Sequence, residues 1–209
     1  MVTAQKMTFH ALKGYHVKSL LIAALLTLAS ATTGNALEHG MTTAISEFGG
    51  LTGYGITHKY FGATRTQVQT WDAIARFGWF LSGEVGKESW YQGRHELLLE
   101  LPYHMAVDHG GRSMVGGYVL GSWKFTGLKH TAPYVFAGGG PLFVDLGLPT
   151  MGTRLCFSYQ GGTGLQYFLK KNMALTAEYR YHHISNAGTA DPNEPLNSSK
   201  FLLGMSFFR

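Results

Sequence analysis

The chain has 209 residues, of which 14% are charged, 13% are aromatic and 28 are glycine. A charged fraction this far below the roughly 25% of soluble domains, with glycine and aromatics in excess, points to strands in an apolar setting and away from a soluble helical enzyme. The formal charge of +5 includes Lys6, Lys13 and Lys18, which stand in residues 1–31 with no acid or arginine; the remainder carries +2 and has no basic cluster of the kind nucleic-acid binding needs.

Those three lysines precede the apolar run "SLLIAALLTLASA", Ser19–Ala31. It is shorter than the ~20 residues of a membrane-spanning helix. Small-x-small sites follow at Ala29-Ser30-Ala31 and Gly34-Asn35-Ala36. Residues 1–36 are therefore expected to be a secretory signal peptide cleaved after Ala31 or Ala36, with 37–209 forming the mature domain; an N-terminal anchor helix is the alternative. Cys156 is the single cysteine, which excludes a disulfide within the chain, and it reads as a small strand side chain.

Beyond the signal, alternation of period two dominates, the mark of strands with two unlike faces. Segments are expected near 42–59, 66–84, 91–108, 112–126, 132–146, 152–168, 173–186 and 198–208. "TWDAIARFGWFL" places Trp71, Ala73, Ala75, Phe77, Trp79 and Leu81 on one face, and "HELLLELPYHMAV" does the same with Leu97, Leu99, Leu101, Tyr103 and Met105. Turn residues separate the segments in "DHGGRS", "GLKH", "KKN" and "ADPNEPLNS". Eight is the smallest usual number for a transmembrane barrel, and strands this long exceed the 5–6 residues typical of soluble sheets. The fold class expected is all-β, an eight-stranded antiparallel transmembrane β-barrel. A secreted lipocalin-like barrel shares the alternation and differs in which face is inside. Charged residues on the opposite faces (Asp72, Arg76, Glu96, Glu100, Glu178 and Arg180) suit a polar plug within a narrow barrel. The final strand "KFLLGMSFFR" has Phe208 penultimate, where outer-membrane proteins commonly end on an aromatic residue.

In the seventh segment, "YRYHHISNAG" divides by register. Tyr179, Tyr181, His183 and Ser185 continue the apolar face, whereas Arg180, His182 and Asn186 lie on the other. His183 and Ser185 thus belong to the lipid-facing wall, about 6.8 Å apart along the strand. A histidine can bridge that gap and act as general base for a serine nucleophile. Backbone N–H groups of Ala187 and Gly188 and the amides of Asn186 and Asn193 are candidate oxyanion donors. Polar residues ending a strand are also ordinary, and spacing alone leaves both readings open. His182 is expected to bond within the lumen, and Glu178 with Arg180 to form a lumenal ion pair.

"EYRYHHISNAG", "PNEPLNS" and the closing "FLLGMSFF", with "FSYQGGTGLQYFL" and "APYVFAGGGP" before them, resemble the outer-membrane lipid A 3-O-deacylase family, also called acyloxyacyl hydrolases. The resemblance covers most of residues 90–209. It implies a barrel with its active site on the outer wall, hydrolysing the 3-O-linked acyl ester of lipid A without metal or cofactor. It assigns Ser185 as nucleophile, His183 as base and Asn193, with the Ala187 and Gly188 backbone, as oxyanion donors. The family's best-studied members carry glutamate where this chain has Asn197. A neutral amide can orient a histidine but offers it no charge, so a Ser-His-Asn site is expected, with Asn197→Glu expected to raise activity. Partners implied are lipid A or lipopolysaccharide and the outer membrane, with no nucleic acid, for a monomer or homodimer. The alternatives are a non-enzymatic small outer-membrane barrel, structural or adhesin-like, and an acyl-ester hydrolase acting on phospholipid.

Overall fold

The computed structural model describes residues 40–209; the expected signal segment and its cleavage sites lie outside the described residues. A short 3₁₀ turn, Gly40–Thr42, leads into β1 (Ser46–Thr57), β2 (Gln69–Phe80), β3 (Gly93–Ala106), β4 (Ser113–Gly116), β5 (Tyr118–Phe125), β6 (Thr131–Asp145), β7 (Leu155–Lys170), β8 (Met173–Ser185) and β9 (Leu196–Phe208). β4 and β5 are two halves of one stave, both lying between β3 and β6. The break falls at Gly117, whose N–H donates to Pro141 O at 3.2 Å. Gly140 faces it so closely that a Cβ there would come within 2.1 Å of Gly117 O, so two backbones meet where no side chain fits.

Every pairing is antiparallel, and β1 pairs with both β2 and β9, which closes the sheet into a barrel of eight staves. Closure follows from the apolar outer face: in hydrocarbon every backbone N–H and C=O needs a partner within the sheet. The strands are slightly shorter at several ends than the alternation predicts. β3 has 14 residues, enough to cross at a tilt.

The alternation assigns the two faces. Along β8, Thr176, Glu178, Arg180 and His182 are buried in the lumen, and Leu175 and Tyr179 stand exposed on the outer wall. Phe48, Trp71, Phe77, Trp79, Leu97, Leu99, Leu101, Val119, Val135 and Leu203 extend the exposed apolar wall around the barrel. So large an apolar surface is a membrane-facing one, which decides against a lipocalin-like interior.

Charge pairs fill the lumen, in pairings the linear sequence does not suggest. Arg76 bridges Glu100 at 2.6 Å and Glu178 at 2.5 Å, and Arg180 meets Glu100 at 2.8 Å and, as expected, Glu178. Asp72 pairs with Lys200 and with His104, each at 2.7 Å, rather than with Arg76. Glu96 turns to Lys124 at 3.2 Å, and Glu47 also contacts Lys124. His182 accepts its expected lumenal role through Tyr118 OH at 3.1 Å. Apolar layers flank this network, with Val144, Leu146, Ile184 and Leu196 towards one mouth and Met41, Phe168 and Phe208 towards the other.

Candidate active site

The β8–β9 register places the candidate residues side by side. Ser185 lies opposite Phe157 on β7, and His183 lies between Tyr159 on β7 and Asn197 on β9. His183 Nε2 stands 3.3 Å from Ser185 Oγ, and His183 Nδ1 stands 2.7 Å from Asn197 Oδ1. His183 and Ser185 are half-buried on the outer wall, and Asn197 is buried. They sit at the mouth opposite the two ends of the closing β1–β9 pair, Ser46 and Phe208.

The neighbours fix the protonation pattern. Asn197 Nδ2 lies 3.3 Å from Phe61 O and 2.8 Å from Thr64 Oγ1. A carbonyl only accepts, so the Asn197 atom facing Phe61 is the nitrogen. Its oxygen therefore faces His183 Nδ1, which must carry hydrogen, and Nε2 is left with its lone pair towards Ser185. This is the tautomer a general base requires. Tyr181 OH also donates to Asn197 Oδ1, at 2.5 Å. The Tyr159 ring stacks on the imidazole, with centroids 4.2 Å apart and planes at 20°. Its π face can favour the imidazolium, since a cation over an aromatic face is attracted to it.

After Ser185 the chain turns through Ala187 (φ 54°) and Gly188 (φ 75°), closed by Thr189 N donating to Asn186 O at 3.1 Å. Two left-handed residues in succession form a tight turn of the primed kind. Asn186 builds this turn: its Nδ2 donates to Ala190 O at 2.7 Å and its Oδ1 accepts from Gly188 N at 2.9 Å. The buried Asn186 amide and the Gly188 N–H are thereby occupied within the turn, which corrects their expected place among the oxyanion donors. Asn193 Oδ1 accepts from Asn186 N at 2.9 Å, which leaves its NH₂ directed away from that contact. Among the described residues, no acceptor meets the Ala187 N–H or Asn193 Nδ2. Ala187 and Asn193 are both exposed.

Several neighbours escape sequence reasoning. Phe61 and Thr64 come from the β1–β2 loop, and Glu194 ties that loop to the β8–β9 turn, its Oε1 accepting from Arg65 N at 2.7 Å and Thr66 N at 2.6 Å. Burial works to raise the Glu194 carboxyl, but the N–H donors of Arg65 and Thr66 outweigh it and hold it below its usual value. Deeper on the same wall, Ser199 Oγ bonds His58 Nε2 at 2.7 Å and Tyr179 OH at 2.9 Å. Of these neighbours, Tyr179 and Tyr181 carry a signal in the sequence, sharing the outward register of β8 with His183.

The family model for lipid A 3-O-deacylase (PagL) matches residues 53–206, a span that contains the whole constellation. No curated protein sequence matches the chain. The crystal structure of the outer membrane enzyme PagL is similar at a TM-score of 0.53 and 18% identity, over 76% of this chain and 97% of that one. That of Neisserial surface protein A (NspA) is similar at 0.55 and 14%, over 78% and 96% respectively. These two likenesses concern the fold, which an enzyme and a surface protein share equally.

Proposed function

The chain belongs to the lipid A 3-O-deacylase family, and we propose that it hydrolyses the 3-O-linked acyl ester of lipid A in the outer membrane with Ser185 as nucleophile and His183 as general base. The observation that carries the mechanism is the unbroken hydrogen-bond chain from Phe61 O through the Asn197 amide and His183 to Ser185 Oγ. It lies on the barrel's outer wall, where acyl chains already pack.

Ser185 Oγ attacks the acyl carbonyl carbon as His183 Nε2 takes its proton. The resulting oxyanion is within the province of the Ala187 N–H and Asn193 Nδ2, the two donors without a partner in the turn. Collapse breaks the ester C–O bond, and His183 returns the proton to the leaving sugar hydroxyl. Water, deprotonated by the same imidazole, then attacks the acyl-serine and releases the fatty acid. The first step is acyl transfer to Ser185 and the second hydrolysis of the acyl-serine, and both use side chains alone. The imidazolium formed in each step faces the Asn197 oxygen and the Tyr159 ring instead of a carboxylate. Turnover is therefore expected to be slower than at a Ser-His-Glu site. We further propose export through a signal peptide cleaved after Ala31 or Ala36, and action as a monomer or homodimer.

Lipid A extracted from cells producing wild type or Ser185→Ala tests this by mass. Loss of one 3-O-linked acyl chain with wild type alone is expected, with turnover lowered at least about a thousand-fold by the substitution. Identical spectra from two folded proteins would remove the lipid A reading. Cleavage of phospholipid instead would retain the mechanism and change the substrate.

A further inference from the structure

We infer that the segment joining β2 to β3, residues 81–92, is an interfacial anchor that lays Trp90 and Tyr91 among phospholipid headgroups at the mouth away from Ser185; the inference rests on the lipid-facing wall and is independent of the proposed chemistry. The other connections at that mouth are short: residues 171–172 join β7 to β8, and residues 126–130 join β5 to β6. Transmembrane barrels ordinarily keep the turns of one mouth short, so the longer 81–92 is a departure. Trp90 within it is 88% exposed, and Leu81, Val85 and Tyr91 are exposed as well. An apolar patch of this kind on an ordered segment marks a surface that something covers.

Register says what covers it. Leu81 N donates to His95 O at 2.9 Å, so β2 and β3 stay paired beyond Phe80 and Leu81 keeps the outward register of Trp79. Val85 and Gly93 exchange both backbone hydrogen bonds, at 2.8 and 3.0 Å. Directly opposed residues of an antiparallel pair share a face. At Gly93 that face is the outer one, because a Cβ there would come within 2.7 Å of the Trp123 ring, which packs on the outward His95 with centroids 4.5 Å apart. Leu81 and Val85 therefore prolong the lipid-facing wall past the end of the barrel. In the turn that follows, Trp90 packs edge-on against Tyr91, with centroids 5.6 Å apart. The polar groups of the segment are tied to the barrel mouth instead. Glu84 Oε1 accepts from Thr126 Oγ1 at 2.6 Å and from Gln92 Nε2 at 3.1 Å, and Arg94 Nε donates to Ser82 O at 2.8 Å. A segment that is apolar outward, hydrogen-bonded inward and tipped with tryptophan and tyrosine suits the bilayer interface, where those amphipathic rings concentrate. Its continuity with the wall favours lipid over a soluble partner.

The test uses the full chain folded in phosphatidylcholine vesicles. Trp71→Phe, Trp79→Phe and Trp123→Phe together leave Trp90 as the one tryptophan of the four. Its fluorescence is read against three quenchers: a nitroxide on the lipid headgroup, bromine atoms near the acyl-chain ends, and acrylamide in the water. The headgroup nitroxide is expected to quench more strongly than the bromines, and acrylamide less than about half as well as it quenches a free tryptophan amide. If the triple variant does not reach the folded form in a heat-modifiability gel, the wild-type signal less that of Trp90→Phe gives the same reading, since Trp90 lies outside the packed interior of the barrel. Acrylamide quenching at or above that half would place Trp90 in water, leave the segment to a soluble partner and overturn the inference. Bromine quenching that matches or exceeds the nitroxide's would overturn it too, because the ring would then not lie at headgroup level.

Discussion

Asn197 concentrates the chemistry of this site in a single side chain. Its amide is used on both faces, the nitrogen towards Phe61 O and Thr64 Oγ1 and the oxygen towards His183 and Tyr181. That pattern revises the expectation that Asn197→Glu raises activity. A carboxylate has no hydrogen to give, so Phe61 O would face a negative oxygen in a buried position, and an unmet carbonyl there costs roughly 1–3 kcal/mol. The charge gained beside His183 does not compensate while the loop keeps its place. Asn197→Glu alone is therefore expected to lower kcat, with the folded fraction measured in parallel; a higher kcat in a folded variant would show that the loop yields. Ala187 shows strain at the same scale: a non-glycine residue at φ 54° sits in the turn directly after Ser185. This conformation leaves its N–H without a partner in the turn.

At the scale of elements, β8 supplies the proposed Ser185–His183 pair and β9 the amide of Asn197, but a loop from the opposite end of the sequence completes the arrangement. The pairing of β1 with β9 brings residues 58–66 beside residues 193–199. Glu194 is the clasp, and its behaviour with acid follows from the direction of its shift. Its carboxyl is held below the usual glutamate value in the folded protein, so the anchoring is fully present above the unfolded value and lost as pH falls through the folded one. Protection of the Arg65 and Thr66 amides from hydrogen exchange should be retained through the ordinary carboxylate range and fall only below it. Loss of protection at or above the normal glutamate range would contradict this assignment, as would full protection in Glu194→Ala. The Asp191–Gly188 side of the same turn was legible as turn chemistry, whereas the clasp was not. Glu194 carries no local signal of this role, because its partner is a backbone more than a hundred residues away.

At the scale of the whole molecule, the barrel is inverted relative to a soluble protein: arginines and glutamates fill its lumen and leucines cover its wall. Arg76 and Arg180 are fully buried between Glu100 and Glu178. Such a pair is costly to break, because removing one partner strands the other charge without solvent. The wall imposes a different constraint. Leu99, near the middle of β3 and facing outward, should tolerate apolar exchange, whereas Leu99→Arg is expected to destabilise the protein by about 2–4 kcal/mol in a bilayer. Urea unfolding in lipid vesicles measures this, and an unchanged midpoint would mean that β3 does not lie at the depth assigned to it. The outer wall also suits the proposed site: an ester at the head of a packed acyl chain would meet Ser185 laterally, without passing through a lumen that side chains already fill.

Alternation is a local property of a strand, and it alone determined the eight staves, the two faces of β8 and the membership of Tyr181, His183 and Ser185 in the lipid-facing set. It also separated His183 from its neighbour His182, since a period of two sends adjacent residues to opposite sides. Whether the apolar face lay inside or outside, which acids met which bases, and which donors near Ser185 remained unengaged depended on closure of the sheet and on the fold of the turn. Asn186 and Gly188 illustrate the limit: their composition suits an oxyanion hole, but the Gly188 N–H is taken by Asn186 Oδ1 and the Asn186 NH₂ by Ala190 O. Thr64 marks it most clearly, because its partner stands 133 positions along the chain and only the β1–β9 closure brings the two together. Periodicity records which way a side chain points, whereas its hydrogen-bond partners depend on strands and loops that only the closed barrel makes neighbours.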